Sequence, residues 1–387
     1  VAKYVGVSEA TVSRVLNGKP GISDATRAAV LTALDVLGYE RPTKLRGERA
    51  RLVGLVLPEL QNPIFPAFAE VVAGALAKRG LTPVLCTRTA DGVSEADYVD
   101  MLLDQHVSGV IFAGGNYAQG AAEHEHYRRL LDRGLPVVLV NAAIADLGFP
   151  TVATDDAHAV EQAYGHLSSL GHVRIGIILG PRDHVPSARK LAAFLKLQSA
   201  AGADSLPGTH PGAPADDGPD PGTANGAASG SANGSTPAAE STEIRPTRLV
   251  ERTIFSMEGG HAAASRLIKR GVTGLICASD VLALGAVRAV RRQGLSVPED
   301  ISVVGYDDSI FMPCTDPPLT TIRQPIEAMG QAVVALLVSE IAGNAVPPDE
   351  LVFEPELVVR GSTGAAPTSS PAPATRLASV TSDPRAA

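Results

Sequence analysis

The chain has no Trp, only seven Tyr and eight Phe, and three Cys in 387 residues. Cys86, Cys277 and Cys314 are scattered and odd in number. They give neither the paired spacing of a zinc site nor a disulfide framework, so no metal and a reducing, cytoplasmic setting are expected. No apolar run approaches the roughly 18 residues that a membrane helix needs, and no secretory signal is expected, since the sequence enters directly into the first helical stretch. A Gly-rich phosphate loop with its Lys and a nucleophile elbow are both missing. The neighbouring carboxylates Asp307 and Asp308 do not amount to an acid/base pair, because adjacent loop residues seldom face one substrate. Neither a catalytic residue nor a cofactor is expected. Glu123, His124, Glu125 and His126 read as a solvated helix start, since side chains two apart on a helix diverge.

Positive charge is scarce overall, with a net charge of −8 that would argue against nucleic acid. Its distribution says otherwise. Residues 1–51 carry nine Lys/Arg against five Asp/Glu, hence +4, and the remainder carries −12. That is a small basic head on an acidic body.

Within the head, Gly6 and Val7 suit the tight turn between two helices, and Ser8 is placed to cap the second. Val12, Val15 and Leu16 fall on one stripe of that helix. The other face offers Glu9, Ala10, Ser13, Arg14 and Asn17, side chains suited to base edges and phosphates. A third helix follows Ser23, with Val30, Leu31, Leu34 and Leu37 as its apolar stripe and Gly38 as its stop. The string Gly-Val-Ser-Glu-Ala-Thr-Val-Ser-Arg-Val-Leu-Asn-Gly over residues 6–18 resembles the DNA-reading unit of the lactose/galactose-repressor (LacI/GalR) family of transcription regulators.

That resemblance implies a helix-turn-helix domain over 1–38, clipped at its N-terminus relative to the family, and a hinge over 39–51. Arg14, Glu9 and Ala10 would meet base edges, while Thr11, Ser13 and Asn17 would hold phosphates and Ser8, the cap, completes the DNA-binding set. Tyr39 would open a hinge whose Leu45 wedges into the minor groove, although Pro42 interrupts a stretch shorter than the family pattern.

Beyond residue 51 short apolar runs alternate with helical stretches. The runs are 52–57, 83–87, 109–113, 136–140, 174–179, 274–278 and 301–306. Such continuously apolar strands belong to parallel sheets covered on both faces. Their number exceeds one comfortable sheet, so two doubly wound α/β subdomains are expected within 52–361. One would cover about 52–154 and 324–342, the other about 155–323 and 350–361. By resemblance this is a periplasmic-binding-protein-like core. Residues 199–243 read as a disordered insertion and 363–387 as a disordered tail, because both lack the apolar content to offset their ordering entropy.

In two-lobed α/β sensors ligands lie at the carboxyl ends of strands. Asn141, Ser279 and the string Gly305-Tyr306-Asp307-Asp308 all follow strands. The resemblance recurs in that string and in Leu-Thr-Thr-Ile-Arg-Gln over 319–324. It implies that Arg189 and Asp307 anchor an effector, and that Phe255, Asn141, Ile64 and Phe65 shape its pocket. Ser279 and Gln324 complete the candidate set, with Ser279 standing where many members carry Asn. The function implied is a sequence-specific repressor, a homodimer on pseudopalindromic operator DNA, controlled by a small-molecule effector, a sugar. A cytoplasmic sugar sensor without competent DNA binding is the alternative that a shortened head and hinge leave open.

Overall fold

In the computed structural model, residues 1–16, 21–36, 51–88, 92–120, 124–144, 146–204 and 246–368 are described. Asn17, Tyr39, Leu45 and nearly all of the expected hinge lie outside them, as does 205–243 of the expected insertion. Three helices form the head: α1 (Ala2–Val5), α2 (Glu9–Leu16) and α3 (Asp24–Val36). α1 ends at Gly6, in the left-handed region at φ 72°. The Thr11 N–H donates to Ser8 Oγ at 3.1 Å, and the Thr26 N–H donates to Ser23 Oγ at 3.2 Å. Both serines therefore take up a backbone donor that the first helical turn leaves without a partner. Val12, Val15, Val30 and Leu34 form the buried centre of this head.

Two six-stranded sheets make up the rest. The first has the order β11-β5-β4-β3-β1-β2, where β1 is Arg51–Leu57, β2 Leu81–Thr87, β3 Gly109–Phe112, β4 Val137–Val140, β5 Thr151–Thr154 and β11 Glu350–Phe353. All its pairings are parallel. The second has the order β12-β10-β9-β8-β6-β7, where β6 is Ile175–Leu179, β7 Val250–Arg252, β8 Gly274–Cys277, β9 Ser302–Asp307, β10 Thr320–Arg323 and β12 Glu356–Val358. Here only the β10–β12 pair is antiparallel.

The first sheet is flanked by α4 (Ile64–Ala77), α5 (Glu95–Asp104), α6 (Glu125–Asp132) and α11 (Ile326–Ile341). The second is flanked by α7 (Asp156–Ser169), α8 (Val185–Asp204), α9 (Met257–Lys269) and α10 (Asp280–Arg292). The first lobe is filled on both faces of its sheet, by Leu55, Phe68 and Val333 on one side and Phe112, Tyr127 and Leu139 on the other. No helix among the described residues is long and apolar enough to cross a membrane.

The chain passes between lobes three times: after β5, between β10 and α11, and between β11 and β12. The boundaries differ from expectation in three places. Glu350–Phe353 pairs with β5 and so belongs to the first sheet, not the second. α8 runs on to Asp204, so 199–204 is helix rather than disordered chain. The start of the expected tail is fixed: Gly364 N–H donates to Ser302 Oγ, and Ala366 N–H to the Leu170 carbonyl. Composition misjudged the starts of these two segments because a helix already nucleated upstream, or hydrogen-bond partners on the packed lobe, order a few polar residues at little cost.

Candidate functional site

On the head, Ser8, Glu9, Ala10, Ser13 and Arg14 all lie on the exposed side of α2, opposite Val12 and Val15. Thr11 is half-buried, its hydroxyl 2.9 Å from that of Ser8. An exposed helix face carrying a guanidinium, a carboxylate and hydroxyls, on a domain with positive net charge, can enter a major groove.

Between the lobes, the candidate residues fall into separate groups. Asp307, Gln324, Asn141 and Ile64 belong to one hydrogen-bonded network. Gln324 Nε2 donates to Asp307 Oδ1 at 2.7 Å, and Thr154 Oγ1 donates to Gln324 Oε1 at 2.9 Å. Asn62 Nδ2, from the first lobe, donates to Asp307 Oδ2 at 3.3 Å, while its own Oδ1 accepts from the Ile64 N–H. Asn141 Oδ1 accepts from the Thr154 N–H at 3.2 Å. The network thus runs from the cleft carboxylate into two of the three chain crossings.

Asp307 and Asp308 hold φ values of 119° and 54°, and Asn141 one of 69°. Non-glycine residues in this region cost about 1–3 kcal/mol each, and such strain concentrates at functional sites. The surroundings enforce it. Asp280, fully buried at the start of α10, accepts from the Ser309 N–H and hydroxyl and from the Thr321 hydroxyl. Gly305 is what lets Asp280 approach, since a Cβ there would lie 2.4 Å from Asp280 Oδ1. Asp308 is held by Arg323 and Arg360. Burial, reinforced by the neighbouring Asp280 carboxylate, pushes the Asp307 carboxyl well above the usual carboxylate range. Burial also lifts Asp280 to about 6.

Phe255 sits in a second group. Its ring meets His184 edge-on at 5.2 Å and lies against Gly180, where a Cβ would come within 2.4 Å of two ring atoms. His184 Nδ1 is 2.9 Å from Ser187 Oγ, and burial beside Lys190 depresses its imidazole to about 4. The same segment touches the first lobe: the Gly120 N–H donates to the Asp183 carbonyl, and Gln119 bridges His184. Phe65 approaches Gly114 in the first lobe.

Two candidates take other positions. Ser279 Oγ caps α10 by accepting from the Leu282 N–H at 3.2 Å, which commits its acceptor to the helix. Arg189 reaches across to Glu350 on β11 in a bidentate pair of 2.8 and 3.1 Å. The neighbouring Lys190 is the inward cation: 5% exposed, paired with the buried Asp156, and 4.0 Å above the centroid of the Tyr306 ring. Its charge opposes the rise of the Asp307 carboxyl. One residue along a helix turns the side chain by about 100°, so a register that is correct to within one position still exchanges an inward cation for a rim cation. Sequence reasoning also missed Asn62, Thr154 and Asp156, whose partners are remote in the chain. Gln324 and Asn62 aside, the described polar contacts leave the Asn141 amide nitrogen without a partner among the described residues.

The histidines of 124–126 also differ from expectation. His126 is buried, its Nε2 3.1 Å from Glu95 Oε1, with the Tyr127 hydroxyl donating to the same carboxylate and the Asn116 N–H donating to Oε2. A carboxylate sealed under α6 needs donors, and His126 is one of them. Among the described residues no group of three His, Cys, Asp or Glu side chains could hold a metal ion.

A cleft that places a carboxylate, amides and an ammonium group beside the Tyr306 ring can hold a polyhydroxylated neutral molecule. Residues 1–42 match the family model for bacterial regulatory proteins of the lacI family. Residues 50–206 match that for periplasmic binding proteins and the sugar-binding domain of the LacI family, and 164–363 that for a periplasmic binding protein-like domain. The HTH-type transcriptional regulator reg1 of Streptomyces lividans is 48% identical over 95% of this chain and 96% of its own length. The chain belongs to the LacI family. Among solved structures of this family, the transcriptional regulator CelR in complex with cellobiose is 31% identical, with a TM-score of 0.62, over 93% of this chain and 98% of that one. The lac repressor dimer bound to operator and the anti-inducer ONPF is 26% identical, with a TM-score of 0.62, over 94% and 98%. This LacI-family member is therefore a transcriptional regulator with a DNA-binding helix-turn-helix and a two-lobed core of the sugar-binding type.

Proposed function

We propose that this regulator is a repressor whose operator affinity is set by a sugar held between its lobes. The reading rests chiefly on the Asp307–Gln324–Thr154 network, which ties the cleft carboxylate to the chain crossings. A ligand hydroxyl that exchanges partners with Asp307 or Gln324 changes the same hydrogen bonds that set the angle between lobes. Its differential affinity for the two arrangements then becomes a change in DNA affinity. The anchoring set is Asp307, Asn62, Gln324 and Asn141 with Lys190 as the cation, while Phe255 offers a flat face. Arg189 acts across the lobes through Glu350.

Two copies would pair through their cores, giving a dimer on operator as in the solved lac repressor complex, and set two heads on half-sites about one helical turn apart. Arg14, Glu9 and Ala10 face the bases, with Ser8, Thr11, Ser13 and Asn17 on phosphates and Tyr39 and Leu45 at the hinge. The alternative of a sensor without DNA binding gains nothing from a family match that spans the whole head.

Fluorescence anisotropy on a symmetric, CG-centred operator and on scrambled DNA, at two salt concentrations, tests this. Tight operator binding with weak, salt-sensitive scrambled binding is expected, with release or tightening by one member of a sugar panel. Arg14→Ala should cost about 1–3 kcal/mol of discrimination. Weak and equal binding to both DNAs would overturn the repressor reading.

A further inference from the structure

Arg189 stands in the first turns of α8, on the second lobe, and Glu350 opens β11, on the first. Their side chains meet at two points, Nη1 on Oε1 at 2.8 Å and Nη2 on Oε2 at 3.1 Å. No other ion pair among the described residues joins the two lobes. Bonds between the lobes away from the chain crossings include Asn62 Nδ2 to Asp307 and the Gly120 N–H to the Asp183 carbonyl, both with neutral donors.

The pair stands some way from the pivot. Glu350 lies opposite Thr151, and Phe353 opposite Thr154, the residue after which the chain first crosses. Glu350 is thus three residues back along a parallel strand, about 10 Å from the crossings. A bend of about 10° that opens this side displaces the two halves of the pair by roughly 2 Å at that radius. Both N–O distances then exceed the roughly 4 Å of an ion pair. Arg189 can follow by extending only if it gives up the two-point fit of fork on carboxylate.

The surrounding charges give the loss of the pair a sign. Burial raises the carboxyl of Asp156 on α7, Lys190 and Arg189 lower it, and Glu350 raises it. Arg189 is thus within electrostatic reach of two carboxylates that belong to different lobes. With the guanidinium in place both are drawn towards it. Without it, Glu350 and Asp156 repel across the gap.

We infer that the Arg189–Glu350 pair is an interlobe strut, which stabilises this arrangement of the lobes over an opened one whether or not the cleft holds a ligand. Arg189 is then a positioning residue, acting on the lobe angle through Glu350. The strut stands on its own geometry; its effect on operator affinity rests on the sensor reading above. A partly exposed pair is a modest contributor, so its removal should multiply the opened population about two- to fivefold.

Amide hydrogen exchange on the full chain tests the strut, read at the Gly120 N–H, whose acceptor lies on the other lobe. The Thr253 N–H, bonded within the second lobe to the Leu179 carbonyl, is the control. Glu350→Ala should speed exchange at Gly120 about twofold and Arg189→Ala about fivefold, with Thr253 unchanged. Adding Glu350→Ala to Arg189→Ala should return the rate to that of Glu350→Ala alone, because the unmatched carboxylate is gone. Raising salt from about 0.05 to 0.5 M should narrow the gap between wild type and Arg189→Ala. An unchanged Gly120 rate in both single variants, or a double variant faster than Arg189→Ala, would overturn the strut. Operator anisotropy without any sugar is the second measurement, and affinities shifted by the same factors are expected. Faster exchange at Gly120 with unaltered operator affinity would leave the strut standing and overturn the coupling of lobe angle to DNA.

Discussion

Replacing Lys190 by Met leaves Asp156 as a carboxylate 5% exposed with its cation gone. Breaking a buried ion pair from one side costs about 3–5 kcal/mol, because the remaining charge keeps its desolvation penalty. The neighbouring Arg189–Glu350 pair is different: its side chains are 35% and 26% exposed, against 6% and 5% for Lys190 and Asp156. Truncating Arg189 should therefore cost only about 0.2–1 kcal/mol. In a lobe of this size each kcal/mol moves the thermal midpoint by roughly 2–4 °C, so Lys190→Met should lower it by about 6–20 °C. Burial already raises the Asp156 carboxyl against the pull of Lys190. Without the ammonium it rises further, so the folded variant gains a proton at acid pH that the unfolded chain holds less tightly. The penalty should thus be smaller at pH 5 than at pH 8. Combining Lys190→Met with Asp156→Asn should restore most of the loss, and a double-mutant cycle read by urea and thermal denaturation measures the coupling. Equal costs for Lys190→Met and Arg189→Ala, or additive behaviour in the cycle, would refute the assignment of Lys190 as the inward cation.

Two further outcomes follow from the Phe255 group. His184 titrates near 4 in the folded chain, so the unfolded chain binds its proton first on acidification. Stability contributed by His184 is complete above about pH 6.5 and lost on descent to about pH 4. Being partly exposed, it should account for about 1–2 kcal/mol rather than the full shift, and His184→Gln should flatten that part of the urea-midpoint profile. Gly180→Ala places a Cβ 2.4 Å from the Phe255 ring. It should cost about 1–3 kcal/mol as overpacking and weaken sugar binding at least fivefold, read by thermal denaturation and calorimetry.

The architecture was legible where burial leaves a periodic mark. The parallel strands read as apolar runs because both faces are covered, and Ser8 and Ser23 announced helix starts that the structure confirms by hydrogen bond. Strand β5, Thr-Val-Ala-Thr, carries no such mark, although all four residues are buried, because its threonines satisfy their hydroxyls locally and across the lobes. The edge strands β11 and β12 are half-exposed and too short for any period to show. Within the cleft, motif strings pointed to Asp307 and Gln324, which the structure joins by a hydrogen bond, whereas on α8 the named Arg189 pairs with Glu350 and the next residue, Lys190, points inward. His126 was misjudged because Glu95, the carboxylate that draws it inward, lies 31 residues earlier. Local spacing carries no trace of such a partner.

The three passages between the lobes have a mechanical consequence. The second and third contain Pro325 and Pro355, whose rings fix one backbone dihedral each. The Asp155 N–H donates to the Phe353 carbonyl at 2.9 Å, fastening the first passage to the third, and Thr154 fastens the first to the second through Gln324. Three strands bolted side by side behave as a leaf spring: stiff to shear and to sliding, compliant in one sense of bend. On the proposed sensor reading, passages tied in this way favour one bend of the lobes over independent partial motions. To carry such a spring from 1:99 to 99:1 a ligand must favour one bend by about 10⁴-fold, and any substitution that merely loosens the leaf would blunt the response without touching the pocket.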